Sequence, residues 1–172
     1  MKGQVHVYTG NGKGKTTAAL GLALRAAGAG KKVYIGQFVK SMEYSEIKAI
    51  KRYLSDCIDV VLYGNGCFIG KNPEQADIDA AKSGLREAAI ALASGKYGLV
   101  VLDEANIATY FGLITPGELL DAVDKRHGST EVVLTGRYAS DEVVEEADLV
   151  TEMQEVRHYY AKGILSREGI DR

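Results

Sequence analysis

Short apolar runs rich in β-branched residues recur along the chain, and most are separated by segments with the 3.6-residue period of a helix. The runs cover residues 5–9, 33–39, 60–63, 99–103, 132–135 and 149–153. Two of them, LVVLD and EVVLT, are apolar at successive rather than alternate positions, which is typical of strands covered by helices on both faces. The pattern therefore predicts a doubly wound α/β fold with a mostly parallel sheet.

Helices are predicted over residues 16–27, 43–54, 74–94 and 116–125. Pro116 opens the last of these, and Asn72-Pro73 is the start signal for the third. The stretch YGNGCFIGKN, residues 63–72, is rich in glycine and is predicted to form a loop. No internal repeat, low-complexity stretch or linker interrupts the sequence, so we expect one domain over residues 1–172.

Composition narrows the classes of function. The chain has 172 residues, 46% of them hydrophobic, which suffices for one buried core. Its 21 Lys and Arg against 23 Asp and Glu give a net charge of -2, so no basic field favours a nucleic-acid partner. Cys57 and Cys67 lack metal-ligand spacing, and no apolar run has the length of an export signal or a membrane span. We therefore expect a cytoplasmic protein with no membrane partner.

A glycine-rich turn, GNGKGKTT, joins the first strand to the first helix. Gly10, Gly12 and Gly14 allow backbone N–H groups to converge without Cβ clashes. Lys15 adds a full positive charge where the helix begins, and Thr16 offers a hydroxyl to Mg²⁺. The turn therefore predicts a site for the phosphates of a nucleotide.

The spacing of this turn is irregular. The usual phosphate-loop motif has glycine where this chain has Thr9, and the first glycine comes one residue late. A loop shorter by one residue should hold a phosphate chain in a different position or direction. The alternative interpretation is a plain lysine-bearing turn between a strand and a helix.

Other predicted strand ends carry charged residues. Asp103 and Glu104 follow a buried strand, and either could be the direct ligand of Mg²⁺ beside a phosphate loop. Arg137 follows another strand, where its guanidinium could bind phosphate oxygens or form a surface salt bridge. Arg25 in the first helix could also reach a nucleotide, although a solvated arginine is the simpler interpretation. Ligands bind outside the carboxyl ends of strands in such sheets, so four loops should line one crevice: those after strands one, three, four and five.

Several segments together resemble the ATP:corrinoid adenosyltransferase family. They are GNGKGKTTAALGLALRAAG, VYIGQFVK, VVLDEAN, VVLTGRYA, ADLVTEM and HYYAKGILSREGID, which extend from residue 10 to residue 171. The resemblance implies a P-loop NTPase (RecA-like) fold. It also implies transfer of the 5′-deoxyadenosyl group from ATP to a reduced Co(I) corrinoid, with triphosphate leaving.

The resemblance further implies that ATP binds in the reverse direction relative to most phosphate-loop enzymes, which agrees with the shortened loop. Lys15, Mg²⁺ and backbone amides would then neutralise charge on the leaving triphosphate. A Co(I) nucleophile needs no general base. The implied partners are a cobalamin, cobinamide or cobyrinic acid diamide substrate, a flavoprotein reductant and a second copy in a homodimer.

Residue roles can be carried over by position. The resemblance implies Lys15 and Glu104 as catalytic residues, and Thr16 with Asp103 or Glu104 as the residues that organise Mg²⁺. The implied ATP contacts are Gly10, Asn11, Gly12, Lys13, Gly14, Lys15, Thr16, Thr17, Arg25 and Arg137. Phe68 and Ile69 are the implied corrinoid contacts, in a loop where some members have Phe-x-Trp and this chain has Cys67-Phe68-Ile69.

Two other functions use the same motifs. A phosphate-loop kinase or ATPase would direct the loop and the Asp103-Glu104 pair at the γ-phosphate of ATP. A nucleotide-switched binding module would use the loops to recognise a partner and would turn over little nucleotide.

Overall fold

The computed structural model describes residues 2–65 and 73–171. Within them the strands are β1 (Val5–Thr9), β2 (Val33–Gln37), β3 (Ile58–Leu62), β4 (Leu99–Asp103), β5 (Glu131–Thr135) and β6 (Leu149–Glu152). The helices are α1 (Lys15–Gly28), α2 (Ser45–Tyr53), α3 (Gln75–Ala93), α4 (Ala105–Tyr110), α5 (Pro116–Asp124) and α6 (Asp141–Glu145), followed by a 3-10 helix over Tyr159–Lys162. The strands form one sheet in the order β3-β2-β4-β5-β1-β6, and every pair is parallel. The predicted parallel α/β fold is confirmed.

Helices cover both faces of this sheet. Val100 and Leu102 of β4 belong to the core shared with α3, α4, α5 and α6. Leu99 and Val101 of the same strand belong to a second core, shared with α1 and α2. Every residue of β4 is therefore buried, which explains why its sequence is apolar at successive positions. No helix within the described ranges is long and apolar enough to cross a membrane.

The strand register brings the carboxyl ends of the strands to one edge. Gln37 at the end of β2 pairs with Asp103 at the end of β4, and Tyr8 of β1 pairs with Thr135 at the end of β5. The loops that follow these strands therefore leave the sheet side by side. This edge is where ligands bind in open α/β sheets.

Several element boundaries differ from the predicted ones. Strand β2 ends at Gln37 rather than residue 39, because Val39 has a left-handed backbone with φ of 64°. Helix α3 begins at Gln75, one residue after the predicted start, with Glu74 as the N-cap of a capping box and Pro73 preceding it as predicted. Pro116 opens α5 as predicted. The short helices α4 and α6 and the 3-10 helix were not predicted.

Candidate active site

The loop after β1 has the form of an anion site. Gly10 and Gly14 have positive φ angles of 91° and 121°, a conformation that favours glycine. Gly14 is the N-cap of α1, which has no side-chain cap and no acidic residue in its first turn. The first N–H groups of this helix are therefore available to a ligand, and the helix dipole favours an anion there.

The glycines also allow a close contact with the chain after β6. The Gly12 N–H donates to the Met153 carbonyl at 2.6 Å. A Cβ added at Gly12 would lie 2.7 Å from the Met153 carbonyl oxygen, and one added at Gly10 would lie 2.5 Å from it. Gly10 and Gly12 are thus required by backbone packing as well as by the anion site.

Lys15 is the first residue of α1, and its side chain reaches back into the loop. Its Nζ donates to the carbonyls of Gly10 and Gly12, both at 2.7 Å, and the residue is only 8% exposed. Burial lowers the pKa of Lys15, and the nearby charge of Arg137 lowers it further, while Glu104 and Asp103 oppose the shift. These hydrogen bonds hold the positive charge of Lys15 inside the loop.

Asp103 is a buried carboxylate that accepts four hydrogen bonds. Its Oδ1 accepts from Thr16 Oγ1 at 2.8 Å and from Thr135 Oγ1 at 2.7 Å. Its Oδ2 accepts from Gln37 Nε2 at 2.9 Å and from Lys40 Nζ at 2.8 Å. Burial by itself would raise the pKa of Asp103, but the Lys40 ammonium and these hydrogen bonds hold it below its ordinary value. The carboxylate is therefore charged and fixed.

Glu104 lies in a different environment. Its backbone is left-handed, with φ of 58°, and its N–H donates to Thr135 Oγ1 at 3.0 Å. Its carboxylate lines the cleft and makes no hydrogen bond to any described residue. Burial raises the pKa of Glu104, and the neighbouring Asp103 charge raises it further. This carboxylate is free to take a ligand.

A cleft of about 980 Å³ opens above these groups. The phosphate loop forms its floor, Glu104 and Arg137 line one part, and the chain after β2 contributes Lys40 and Tyr44. The last part of the wall comes from the C-terminal segment, which includes Tyr159, Ile164 and Ile170. The volume lies within the range of small-molecule and cofactor sites.

The structure brings together most of the residues predicted from the sequence. Those that line the cleft are Gly12, Lys13, Gly14, Lys15, Thr16, Thr17, Glu104 and Arg137. Asp103 is buried and accepts a hydrogen bond from Thr16, and the Gly10 carbonyl accepts one from Lys15. Asn11 is exposed in the loop and is not part of the cleft lining.

Arg25 and the predicted corrinoid contacts differ from this group. Arg25 is an exposed residue of α1 outside the cleft lining. Its charge opposes the rise that burial causes in the pKa of Tyr8. It lies ten residues after Lys15, about 15 Å further along the helix axis, which explains the separation. Phe68 and Ile69 lie outside the described residues.

Sequence reasoning missed two sets of residues. Gln37 and Lys40 follow the second strand, and the rule that strand ends carry function could have identified them. The C-terminal segment is tied to the phosphate loop through Lys13, whose Nζ lies 2.7 Å from Asp171 Oδ1 and 3.0 Å from the Ile170 carbonyl. No local sequence signal indicates the contact between Lys13 and the C-terminal segment.

Known proteins are similar in sequence to this chain over nearly its whole length. Residues 1–171 match the family described as ATP:corrinoid adenosyltransferase BtuR/CobO/CobP. A Pseudomonas aeruginosa protein named corrinoid adenosyltransferase is 36% identical over 170 residues, which cover 99% of this chain and 84% of the relative. An Escherichia coli K12 protein of the same name is 32% identical over 171 residues, 99% of this chain and 86% of the relative. The corrinoid adenosyltransferase CobA of Salmonella typhimurium has the same identity and coverage.

Proposed function

The chain belongs to the family of ATP:corrinoid adenosyltransferases, and from that premise we propose the reaction and residue roles that follow. The enzyme transfers the 5′-deoxyadenosyl group of ATP to the cobalt of a reduced corrinoid, in cobalamin metabolism. The observation that carries the proposed roles is the Lys15 ammonium at the centre of the phosphate loop, with Arg137 in the same cleft. These cations and the first N–H groups of α1 surround the place where a triphosphate would lie.

The reaction forms one bond and breaks one. An electron pair on Co(I) attacks C5′ of ATP, the cobalt–carbon bond forms, and the bond from C5′ to the phosphate oxygen breaks. The electrons of that bond leave with the triphosphate, and the cobalt becomes Co(III). No proton is removed from the nucleophile, so the protein supplies alignment and electrostatic stabilisation of the leaving group. Lys15 and Arg137 are the side chains we assign to that stabilisation.

Mg²⁺ fits the oxygen groups beside the loop. The Thr16 hydroxyl donates a hydrogen bond to Asp103, which leaves the lone pairs of the hydroxyl oxygen available, and the Glu104 carboxylate makes no hydrogen bond to the described residues. We propose Thr16 and Glu104 as the direct ligands and Asp103 as the group that orients Thr16. When bound, the ion would neutralise charge on the phosphates. No cluster of three or more His, Cys, Asp or Glu that could hold a metal occurs in the described part of the chain. The remaining ligands would then be phosphate oxygens and water.

Further features rest on the family resemblance. The corrinoid is the second substrate, and we propose Phe68 and Ile69 as contacts that help displace its lower axial ligand. A flavoprotein reductant, a homodimer and a cytoplasmic location remain predictions. Arg25 remains a proposed nucleotide contact that would have to approach from outside the cleft lining.

The decisive experiment separates the phosphate products. The protein is incubated with ATP and chemically reduced cobalamin under anaerobic conditions, and both the corrinoid and the nucleotide products are resolved by chromatography. We expect inorganic triphosphate and adenosylated corrinoid in equal amounts, and neither without the corrinoid. ADP without adenosylated corrinoid would support a kinase or ATPase instead. ATP binding with no spectral change of a Co(II) corrinoid would support a binding module.

A further inference from the structure

Lys40 follows β2 at a strained turn. Val39 has a left-handed backbone, φ 64°, which β-branched residues rarely adopt. The turn is fixed on both sides, because the Phe38 N–H donates to the Asp103 carbonyl at 2.9 Å and the Gly64 N–H donates to the Lys40 carbonyl at 3.1 Å. Strain that a fold maintains in this way points to a function.

The side chain of Lys40 ends on the buried carboxylate. Its Nζ lies 2.8 Å from Asp103 Oδ2, and Gln37 Nε2 donates to the same oxygen. The pair is largely removed from water, with 16% of the Lys40 side chain and 1% of the Asp103 side chain exposed. Because Lys40 and Gln37 donate to Oδ2, the other oxygen, Oδ1, is left to accept from Thr16 and Thr135.

The orientation of Thr16 depends on that arrangement. A hydroxyl that donates to a carboxylate keeps its lone pairs for a cation. A buried carboxylate that loses its counter-charge is strongly destabilised, and it can move, bind water or take up a proton. In the described part of the chain, Lys40 supplies the ammonium that is hydrogen-bonded to Asp103, whereas the Nζ of Lys15 donates to the Gly10 and Gly12 carbonyls.

We propose that Lys40 is a positioning residue for the magnesium and nucleotide centre, which acts through Asp103 to fix the hydroxyl of Thr16. The proposal rests on the proposed function only for the identity of the ligand, Mg-ATP. It does not require Lys40 to touch the phosphates, although the residue lines the cleft.

The test measures how much Mg²⁺ strengthens ATP binding. ATP affinity is determined by calorimetry, with Mg²⁺ and with the metal chelated, for the wild-type chain, Lys40→Gln and Lys40→Arg. In Lys40→Gln the gain in affinity from Mg²⁺ should be about tenfold smaller than in the wild type, because Asp103 without its counter-charge no longer fixes the Thr16 hydroxyl. The metal-free affinity should fall by a smaller factor, because removing the charge of a residue that lines the cleft also weakens its attraction for the phosphates. Lys40→Arg keeps the charge and should recover most of the gain.

A matched control is Lys82→Gln. Lys82 pairs with Glu118 at 3.3 Å on the surface, and neither residue lines the cleft. This variant should bind ATP like the wild type under both conditions. Equal weakening of metal-free and Mg²⁺-supported binding in Lys40→Gln would indicate a direct phosphate contact and overturn the proposal, as would an unchanged Mg²⁺ gain.

A double-mutant cycle covers the case in which Lys40→Gln does not fold. Asp103→Asn removes the buried charge that the single variant would leave unpaired. In this background, adding Lys40→Gln should not change the Mg²⁺ gain, because Lys40 acts through Asp103. A further loss would contradict the proposal. Its outcome is separate from that of the proposed function: if the wild type releases ADP rather than triphosphate, the reaction is wrong and the role of Lys40 still stands.

Discussion

Asp103 and Glu104 are neighbours in the chain, but their carboxylates lie in different environments. Asp103 accepts four hydrogen bonds and is paired with Lys40. Glu104 accepts none from the described residues, because its left-handed backbone directs the chain into α4 and leaves its carboxylate in the cleft. The sequence could identify the pair, since both residues end a buried strand. It could not assign different roles to the two carboxylates, because those roles depend on donors from α1, β2, the loop after β2 and β5.

The first prediction concerns Lys15. Lys15→Ala should lower the rate of adenosyl transfer by about 100-fold or more, because it removes a positive charge from a nearly buried phosphate site. The measurement is the initial rate of adenosylated corrinoid formation from pre-reduced cobalamin at saturating ATP.

The matched control is Lys48→Ala. Lys48 is an exposed lysine of α2 outside the cleft lining. Its substitution should leave the rate unchanged. A Lys15→Ala variant that transfers as fast as Lys48→Ala would remove Lys15 from the reaction.

At the scale of elements, the phosphate loop packs closely against the chain after β6. The second prediction compares two glycines on either side of the start of α1. Gly12→Ala places a Cβ 2.7 Å from the Met153 carbonyl, so the loop must shift. We expect ATP affinity to fall by about tenfold or more, as measured by calorimetry.

Gly21→Ala is the control within α1. A Cβ at Gly21 meets nothing within 4 Å, and the residue lies in the middle of the helix. Alanine should therefore raise the free energy of unfolding by about 0.5–1 kcal/mol and leave ATP affinity unchanged. Equal ATP affinity in the two variants would show that the contact with Met153 does not shape the loop.

Strands β2 and β3 and helix α3 meet at a pair of buried tyrosines. Tyr63 fits between two glycines: a Cβ at Gly84 would lie 2.3 Å from its ring and one at Gly36 2.6 Å from it. Its hydroxyl shares a short hydrogen bond with that of Tyr34, which also donates to Glu87 at 3.3 Å. Burial raises the pKa of both tyrosines.

The third prediction is an alkaline loss of stability from this pair. In the unfolded chain each tyrosine ionises near pH 10, whereas the folded chain keeps both protonated to higher pH. The stabilisation is therefore complete below pH 10 and decreases as pH rises above it, by up to about 1.4 kcal/mol per pH unit for each tyrosine. Urea unfolding at pH 8 and pH 11 measures this decrease.

The double variant Tyr34→Phe/Tyr63→Phe should lose less stability over the same pH range. Replacing both hydroxyls together avoids leaving one unpaired, so the variant should remain folded. Tyr53→Phe is the control, because Tyr53 is 70% exposed. If all three proteins lose stability equally between pH 8 and pH 11, the buried pair does not cause the loss.

The elements that the sequence predicted are those with long, regular patterns. The strands and the four longer helices follow from apolar runs and helical periodicity, to within a few residues. Helices α4 and α6 have six and five residues, too few to show a helical period. The early end of β2 was missed because VYIGQFVK gives no local sign that Val39 adopts a left-handed turn.

At the scale of the whole molecule, the candidate site is assembled from distant parts of the sequence. Lys15 could be predicted from the glycine-rich turn that precedes it, and Glu104 and Arg137 because each follows a strand and parallel strands end at one edge. The pairing of Lys40 with Asp103, 63 residues apart, and that of Lys13 with Ile170, 157 residues apart, depends on how loops pack together. Such pairings leave no mark in a single sequence.

The last prediction follows from this assembly. A nucleotide in the cleft would contact groups from the β1–α1 loop, the ends of β4 and β5 and the C-terminal segment. A ligand that binds only the folded state stabilises it by about 2.7 kcal/mol at 100 times its Kd. For a chain of this size that corresponds to a rise in Tm of roughly 5–10 °C. Differential scanning calorimetry with and without Mg-ATP measures the shift.

Lys15→Ala should show a much smaller rise at the same ATP concentration, because weaker binding lowers the ratio of ligand to Kd. An equal rise in both proteins would mean that ATP binds elsewhere, since a site centred on Lys15 cannot keep its affinity without that charge.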